Sequence, residues 1–222
     1  MKASLNNVLL NIKNKIILDH VTFEIPEDKT TVFLGKNGSG KTSSLRCLNL
    51  LQKINSGTIK TLNSRPLPML FQNPIIFEGN ALYNFSFLQK IKKYEPKLIW
   101  HDTFELSDIH QQNIASLSGG EKQKLFLSRV MSLDPNIIIM DEPNQNLDFQ
   151  SEVKLKQLLF EEKKKNKTII LSLHDYNFAE EIADYLILLD QGKVILRGER
   201  DNFFHNLKVL RKSNPKIIKT CI

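Results

Sequence analysis

The sequence predicts an α/β protein with a parallel sheet at its centre, a short antiparallel sheet before it and a helical insertion within it. Three observations lead there. Asn136–Met140 and Thr168–Leu173 are continuous runs rich in Ile and Leu, as strands buried on both faces of a parallel sheet require. Between Thr30 and Leu51 the order is strand, glycine-rich loop, helix. The segments before Ile25 are short, β-prone and broken by polar turns.

Taken in order, Val8–Leu10, Ile16–Leu18 and Val21–Ile25 read as antiparallel strands. Thr30–Leu34 is a β-branched run that stops at Gly35, and Thr42–Leu51 has helical apolar spacing through Leu45, Leu48 and Leu51. Asn55–Gly57 reads as a turn, Arg65–Pro68 as a break and Met69–Phe71 as a strand. From Asn80 to Ser116 the pattern is mostly helical and split by Pro96; Glu121–Ser132 is another helix. Leu186–Leu189 and Val194–Leu196 flank Gln191-Gly192 as a hairpin. A basic tail comes after Phe204.

Composition narrows the class. The chain has 222 residues, 41% hydrophobic and 25% charged, which suits an ordinary globular domain. No run approaches the ~20 apolar residues of a membrane span, and polar residues in Met1–Leu10 exclude a secretory signal. Cys47 and Cys221 lack metal-ligand spacing and read as reduced thiols of a cytosolic protein. The net charge of +7 would suit nucleic acid, an anionic membrane surface or an acidic ligand. The Lys-rich stretches, such as Glu161–Lys167, are read as solvated helix ends.

Two motifs carry chemistry. Gly35-Lys36-Asn37-Gly38-Ser39-Gly40-Lys41-Thr42 matches G-x-x-x-x-G-K-[ST] between a strand and a helix. Its glycines let backbone N–H groups wrap a polyphosphate, with Ser43 continuing into a helix whose positive dipole end adds to the site. Lys41 supplies a full charge to the β- and γ-phosphates, and Thr42 a hydroxyl to Mg²⁺. The expected ligands are ATP and Mg²⁺. Asp141 and Glu142 end an apolar strand; Asp141 is expected to hold Mg²⁺ and Glu142 to polarise the attacking water.

Leu117-Ser118-Gly119-Gly120-Glu121-Lys122-Gln123 lies just before that strand, and Leu173-His174-Asp175 after it. With these four pieces in order, the chain to about Phe204 resembles the nucleotide-binding domains of ABC ATPases. The resemblance implies a P-loop ABC-ATPase fold: α/β, with a mixed sheet core, an N-terminal antiparallel β subdomain and an α-helical insertion. It implies a domain over residues 1–204, the helical subdomain at about 80–132 and a tail over 205–222. It also implies that two copies pair head-to-tail when ATP is bound. Ser118, Gly119, Gly120 and Gln123 of one copy would then close over the nucleotide of the other. Gln72 matches the family's Q-loop, sensing Mg²⁺ and the attacking water, and His174 the switch histidine at the γ-phosphate. Asp148, in Asn146-Leu147-Asp148, matches the D-loop. Ser118 and the two glycines opening a helix form an anion site on physical grounds alone, although an ordinary capped helix start uses the same residues.

Three features depart from the family pattern. Ile12 occupies the position of the aromatic that stacks on the base. The stretch between Thr58 and Gln72 is short, as though the antiparallel subdomain were trimmed. Pro143–Asn146 is unusual for a D-loop. The resemblance implies a transport ATPase on the cytoplasmic face of a membrane, docked on transmembrane permease subunits and served by an extracytoplasmic solute-binding protein. Arg46–Leu51 with Ser56–Ile59 is similar to polar amino-acid importers, and Gln72–Phe77 to oxyanion importers for tungstate, molybdate or phosphate. The alternatives are a small exporter's ATPase and a soluble ABC ATPase acting on nucleic acid. No clustered stacking aromatics support the latter, and no nucleic acid partner is expected.

Overall fold

A computed structural model of the chain describes residues 3–61, 63–92 and 95–213. The strands are β1 (Ala3–Ile12), β2 (Lys15–Ile25), β3 (Thr30–Leu34), β4 (Ser56–Lys60), β5 (Met69–Leu70), β6 (Ile137–Asp141), β7 (Thr168–Ser172), β8 (Tyr185–Asp190) and β9 (Lys193–Glu199). The helices are α1 (Lys41–Leu48), α2 (Ala81–Lys92), α3 (Ile99–Thr103), α4 (Gly119–Met131), α5 (Phe149–Lys164), α6 (Tyr176–Ile182) and α7 (Arg200–Ser213).

Two sheets result. One has the order β2-β1-β4 and is antiparallel; the other has the order β5-β6-β7-β3-β8-β9, parallel except where β9 returns along β8. The continuous apolar runs have a direct physical reading. Successive side chains of a strand face opposite ways, so Ile138 and Met140 enter one core while Ile139 enters the other. Ile169 and Leu171 part from Ile170 in the same manner, and Val32 and Leu34 from Phe33. The first core lies between the sheet and α2 to α7; the second lies between the sheet, α1 and the antiparallel strands. Phe23 of β2 and Phe33 of β3 meet edge-to-face across the second core at 5.2 Å.

Several element boundaries differ from the sequence reading. Ile16–Leu18 and Val21–Ile25 are one strand: the polar break at Asp19–His20 is an irregularity in the β1–β2 ladder, with His20 at φ 51°, and not a turn. The expected turn at Asn55–Gly57 leads straight into β4, the third strand of the antiparallel sheet. Helix α1 ends three residues early because the Asn49 amide bonds both to the Leu67 N–H (2.7 Å) and to the Leu67 carbonyl (3.0 Å). Helix α7 runs through residue 204 and buries Leu207 in the first core. Of the expected tail, residues 214–222, with Cys221, lie outside the described residues. Burial pushes the Cys47 thiol up to about 12, so it is inert near neutrality. No helix among the described residues is long and apolar enough to cross a membrane.

Candidate functional site

Parallel strands all end at the same edge of their sheet, so the loops that leave them gather there, the usual place for a site in such folds. The phosphate-loop sequence leaves β3, Asp141 ends β6 with Glu142 directly after it, His174 comes after β7 and Gln72 after β5. Residues far apart in sequence therefore share one end of the molecule.

The loop folds as its residues dictate. Gly40 precedes α1 at φ 109°, a conformation that L side chains rarely adopt. A Cβ there would also fall 2.8 Å from the Leu18 side chain and 3.2 Å from the Ile17 carbonyl oxygen. Strand β2 thus rests closely on the loop, and a side chain at Gly40 would press on it. Lys41 is buried, its ammonium donating to the carbonyls of Gly35 (2.6 Å) and Lys36 (3.1 Å). Burial lowers its pKa, partly offset by the nearby Glu142 and Asp141 carboxylates.

Around that ammonium stand the other candidates. Glu142 Oε1 lies 4.0 Å away and both ring nitrogens of His174 lie at 3.5 Å. Gln72 Nε2 donates to Glu142 Oε2 at 2.8 Å, and His174 Nε2 donates to Glu142 Oε1. Glu142 can reach both because its backbone turns left-handed at φ 53°, leaving the strand direction. Such a conformation in a non-glycine residue costs about 1–3 kcal/mol and is held by its surroundings. The holding bonds are visible: Glu142 N–H donates to the Ser172 hydroxyl (3.0 Å) and lies 3.2 Å from the Ser172 carbonyl. The Ser172 hydroxyl in turn donates to Asp141 Oδ1, while Asp141 Oδ2 is buried with no hydrogen-bond partner.

A cavity of about 220 Å³ opens over the loop, lined by Asn37, Gly38, Ser39, Gly40, Lys41, Thr42, Ser43 and Gln72, and by Lys15 and Ile17 of β2. Lys15 and Ile17 escaped the reading by motif. The signal that could have found them is strand register, since residues two apart share a face. Ile12 is 39% exposed and is not among the lining residues, although it is the direct cross-strand partner of Lys15.

The Ser118 segment forms a separate feature. Ser118 caps α4 in a closed box: its hydroxyl oxygen accepts from Glu121 N–H (3.2 Å), and the Glu121 carboxylate accepts from Ser118 N–H (2.8 Å). The N-terminus of α4 is exposed at Ser118 and Gly119, and neither residue lines the cavity of the same chain. A Cβ on Gly120 would stand 2.8 Å from the Asn146 carbonyl oxygen. Gln123, grouped with the nucleotide cradle on sequence grounds, is buried, its amide donating to the carbonyls of Pro143 (2.9 Å) and Glu142 (3.3 Å). Its visible work is to fix the end of β6. Asp148 caps α5, accepting from Ser151 N–H at 2.7 Å, a bond that lowers its pKa.

Comparison with known proteins gives the family and the fold. Residues 18–145 match the family described as ABC transporter. The arginine transport ATP-binding protein of Bacillus subtilis is 30% identical over 216 residues, covering 88% of this chain and 90% of that protein. A phosphate import ATP-binding protein of Aliivibrio fischeri is 27% identical over 232 residues, covering 90% and 84%. Among solved structures, an ATP-binding subunit of an ABC transporter superposes with a TM-score of 0.82 at 21% identity, covering 94% of each chain. A dimeric bacterial ABC transporter cassette superposes at 0.75 with 23% identity, covering 89% of this chain and 98% of that one. The chain belongs to the ABC transporter family and is an ABC-type ATPase, the ATP-binding subunit of such a transporter.

Proposed function

We propose that this ATPase holds ATP and Mg²⁺ over the phosphate loop and hydrolyses ATP with Glu142 as general base. The observation that supports this reading most is the convergence of Lys41, Glu142, His174 and Gln72 beside one loop. Lys41 offers its charge to the β- and γ-phosphates. Glu142, oriented by Gln72 and His174, accepts a proton from the attacking water, and His174 meets the γ-phosphate. The residues fit a hard cation: Asp141 Oδ2 is a buried carboxylate oxygen with no other partner, and Thr42 adds a hydroxyl. When bound, Mg²⁺ would draw charge from the phosphate oxygens.

The exposed start of α4 lies outside the cavity of its own chain, which favours its use on the nucleotide of a second copy. In this arrangement Ser118 and Gly119 of each protomer close over ATP held by Lys41 of its partner. The chain works at the cytoplasmic face of a membrane. An apolar surface supports docking of a permease segment there: Ile75 is 68% and Ile76 50% exposed, and Ile76, Gly79, Ile114 and Lys122 line a cavity of about 630 Å³. The two relatives named above serve arginine and phosphate; the solute proposed here is correspondingly a polar amino acid or an oxyanion, delivered by an extracytoplasmic binding protein.

Paired variants test the scheme. Glu142→Gln removes the base and keeps hydrogen bonding, so turnover should fall at least about a hundredfold while ATP binding survives; Lys41→Ala should instead lose nucleotide affinity. On size exclusion, Glu142→Gln with MgATP should run as a dimer, and adding Ser118→Arg should return it to monomer. A dimer that survives Ser118→Arg, or forms equally without nucleotide, refutes the head-to-tail arrangement.

A further inference from the structure

We infer that Lys15 is a specificity-determining residue that reads the acceptor edge of a guanine base, so that the chain takes GTP at least as well as ATP. This rests on the reading of the cavity as the nucleoside triphosphate site.

Lys13 (φ 48°) and Asn14 (φ 63°) form a two-residue hairpin turn, with Ile12 and Lys15 directly paired on either side. Paired residues project to the same face of a sheet, and Lys15 shares its face with Ile17 two positions on. Lys15 and Ile17 line the cavity of the phosphate loop. The hairpin is tied to the phosphate loop through Gly192, whose carbonyl accepts from the Asp19 N–H of β2 (2.8 Å) and whose N–H donates to the Ser39 carbonyl (3.0 Å). Lys41, Glu142 and His174 mark the reacting end of a triphosphate. The hairpin lining is what remains for the nucleoside half.

That lining contains no aromatic ring. Ile17 offers aliphatic surface, which senses shape and burial but separates one purine from another weakly. Lys15 is exposed and makes no ion pair among the described residues. An ammonium only donates. Guanine presents two adjacent acceptors, O6 and N7, whereas adenine presents the N7 acceptor beside an N6 amino donor. The donor-only lysine is satisfied by the first edge and opposed by half of the second.

The experiment is displacement of a fluorescent nucleotide from the full chain by MgATP and MgGTP. In the wild type GTP should bind at least as tightly as ATP. Lys15→Met should move the GTP-to-ATP affinity ratio roughly tenfold toward ATP, and Lys15→Glu, which supplies an acceptor, should move it further. A wild-type preference for ATP of tenfold or more overturns the inference, as does an unchanged ratio in either variant. Equal losses for both nucleotides assign the ammonium to the phosphates and overturn it too. Undiminished binding of both nucleotides by Lys41→Ala would instead reject the underlying placement of the site.

Discussion

Glu142 shows how one backbone angle organises the site. A strand residue in extended conformation would carry its side chain across the sheet; the left-handed turn at φ 53° aims the carboxylate at Gln72 and His174 instead. The same scale governs Ile12. A ring at that position, beside Lys15 at the hairpin turn, would add stacking that an aliphatic chain lacks, worth about 0.5–1.5 kcal/mol beyond burial. Ile12→Tyr is therefore expected to tighten ATP binding by up to roughly tenfold, measured as the dissociation constant by titration. An unchanged constant would locate the base platform elsewhere.

At the scale of elements, α4 connects three parts of the site. Its first turn is closed by the Ser118–Glu121 box, and Gln123 holds the end of β6 through the Glu142 and Pro143 carbonyls. Near its other end Arg129 donates to the Ile75 carbonyl at 3.1 Å, on the loop after Gln72, and stacks over Phe126 at 4.5 Å. Burial lowers the Arg129 pKa to about 10, which leaves the guanidinium charged at neutral pH. Gly120 is where α4 touches the Asn146 backbone. Gly120→Ala forces a Cβ to 2.8 Å from a backbone oxygen that cannot rotate away, and overpacking of this kind costs about 1–3 kcal/mol. Urea unfolding should show a lower midpoint at unchanged slope; an unchanged midpoint would mean that the α4–Asn146 contact is looser than the geometry here.

Across the whole molecule, Lys167 joins elements far from the nucleotide end. It bonds Asp134, in the turn after α4, and Glu162 near the end of α5, each at 2.5 Å, just before β7 begins. Burial alone would lower the Lys167 pKa and raise that of Glu162. The two carboxylates outweigh burial at Lys167, which is raised, and the hydrogen bond from Lys165 (2.8 Å) together with Lys167 outweighs it at Glu162, which is lowered. The hydrogen bond from Lys167 lowers Asp134 as well. A carboxylate with a depressed pKa contributes stability that is complete above its unfolded value and lost as pH falls through the folded one. The cluster should therefore weaken below the ordinary carboxylate values of 4.5 and 3.8, and, through Lys167, only above 10.5 at the alkaline end. Melting temperatures of the wild type should fall more steeply from pH 5 to pH 3 than those of Lys167→Met; parallel curves would contradict this assignment.

Much of this was legible in the sequence, for a physical reason. A strand buried on both faces is filled mainly by apolar residues, so β6 and β7 announced themselves, and the phosphate loop is legible because its conformation restricts the residues that can form it. Lys41 and Glu142 were named from local pattern, His174 and Gln72 from the resemblance to a family, and the fold brings the four together. Local pattern misled where polar residues interrupt a strand without ending it, as at Asp19–His20 in β2, and where a helix end is set by a distant partner, as Leu67 sets α1. It was silent on contacts made through register and packing. That Lys15 and Ile17 face the loop, that Gln123 is spent on two carbonyls of the β6 end, and that Lys167 serves two carboxylates were decided only by the tertiary structure. Those contacts depend on which strand lies against which loop, and such neighbours are chosen by the burial of two whole cores rather than by any residue's own conformational preference.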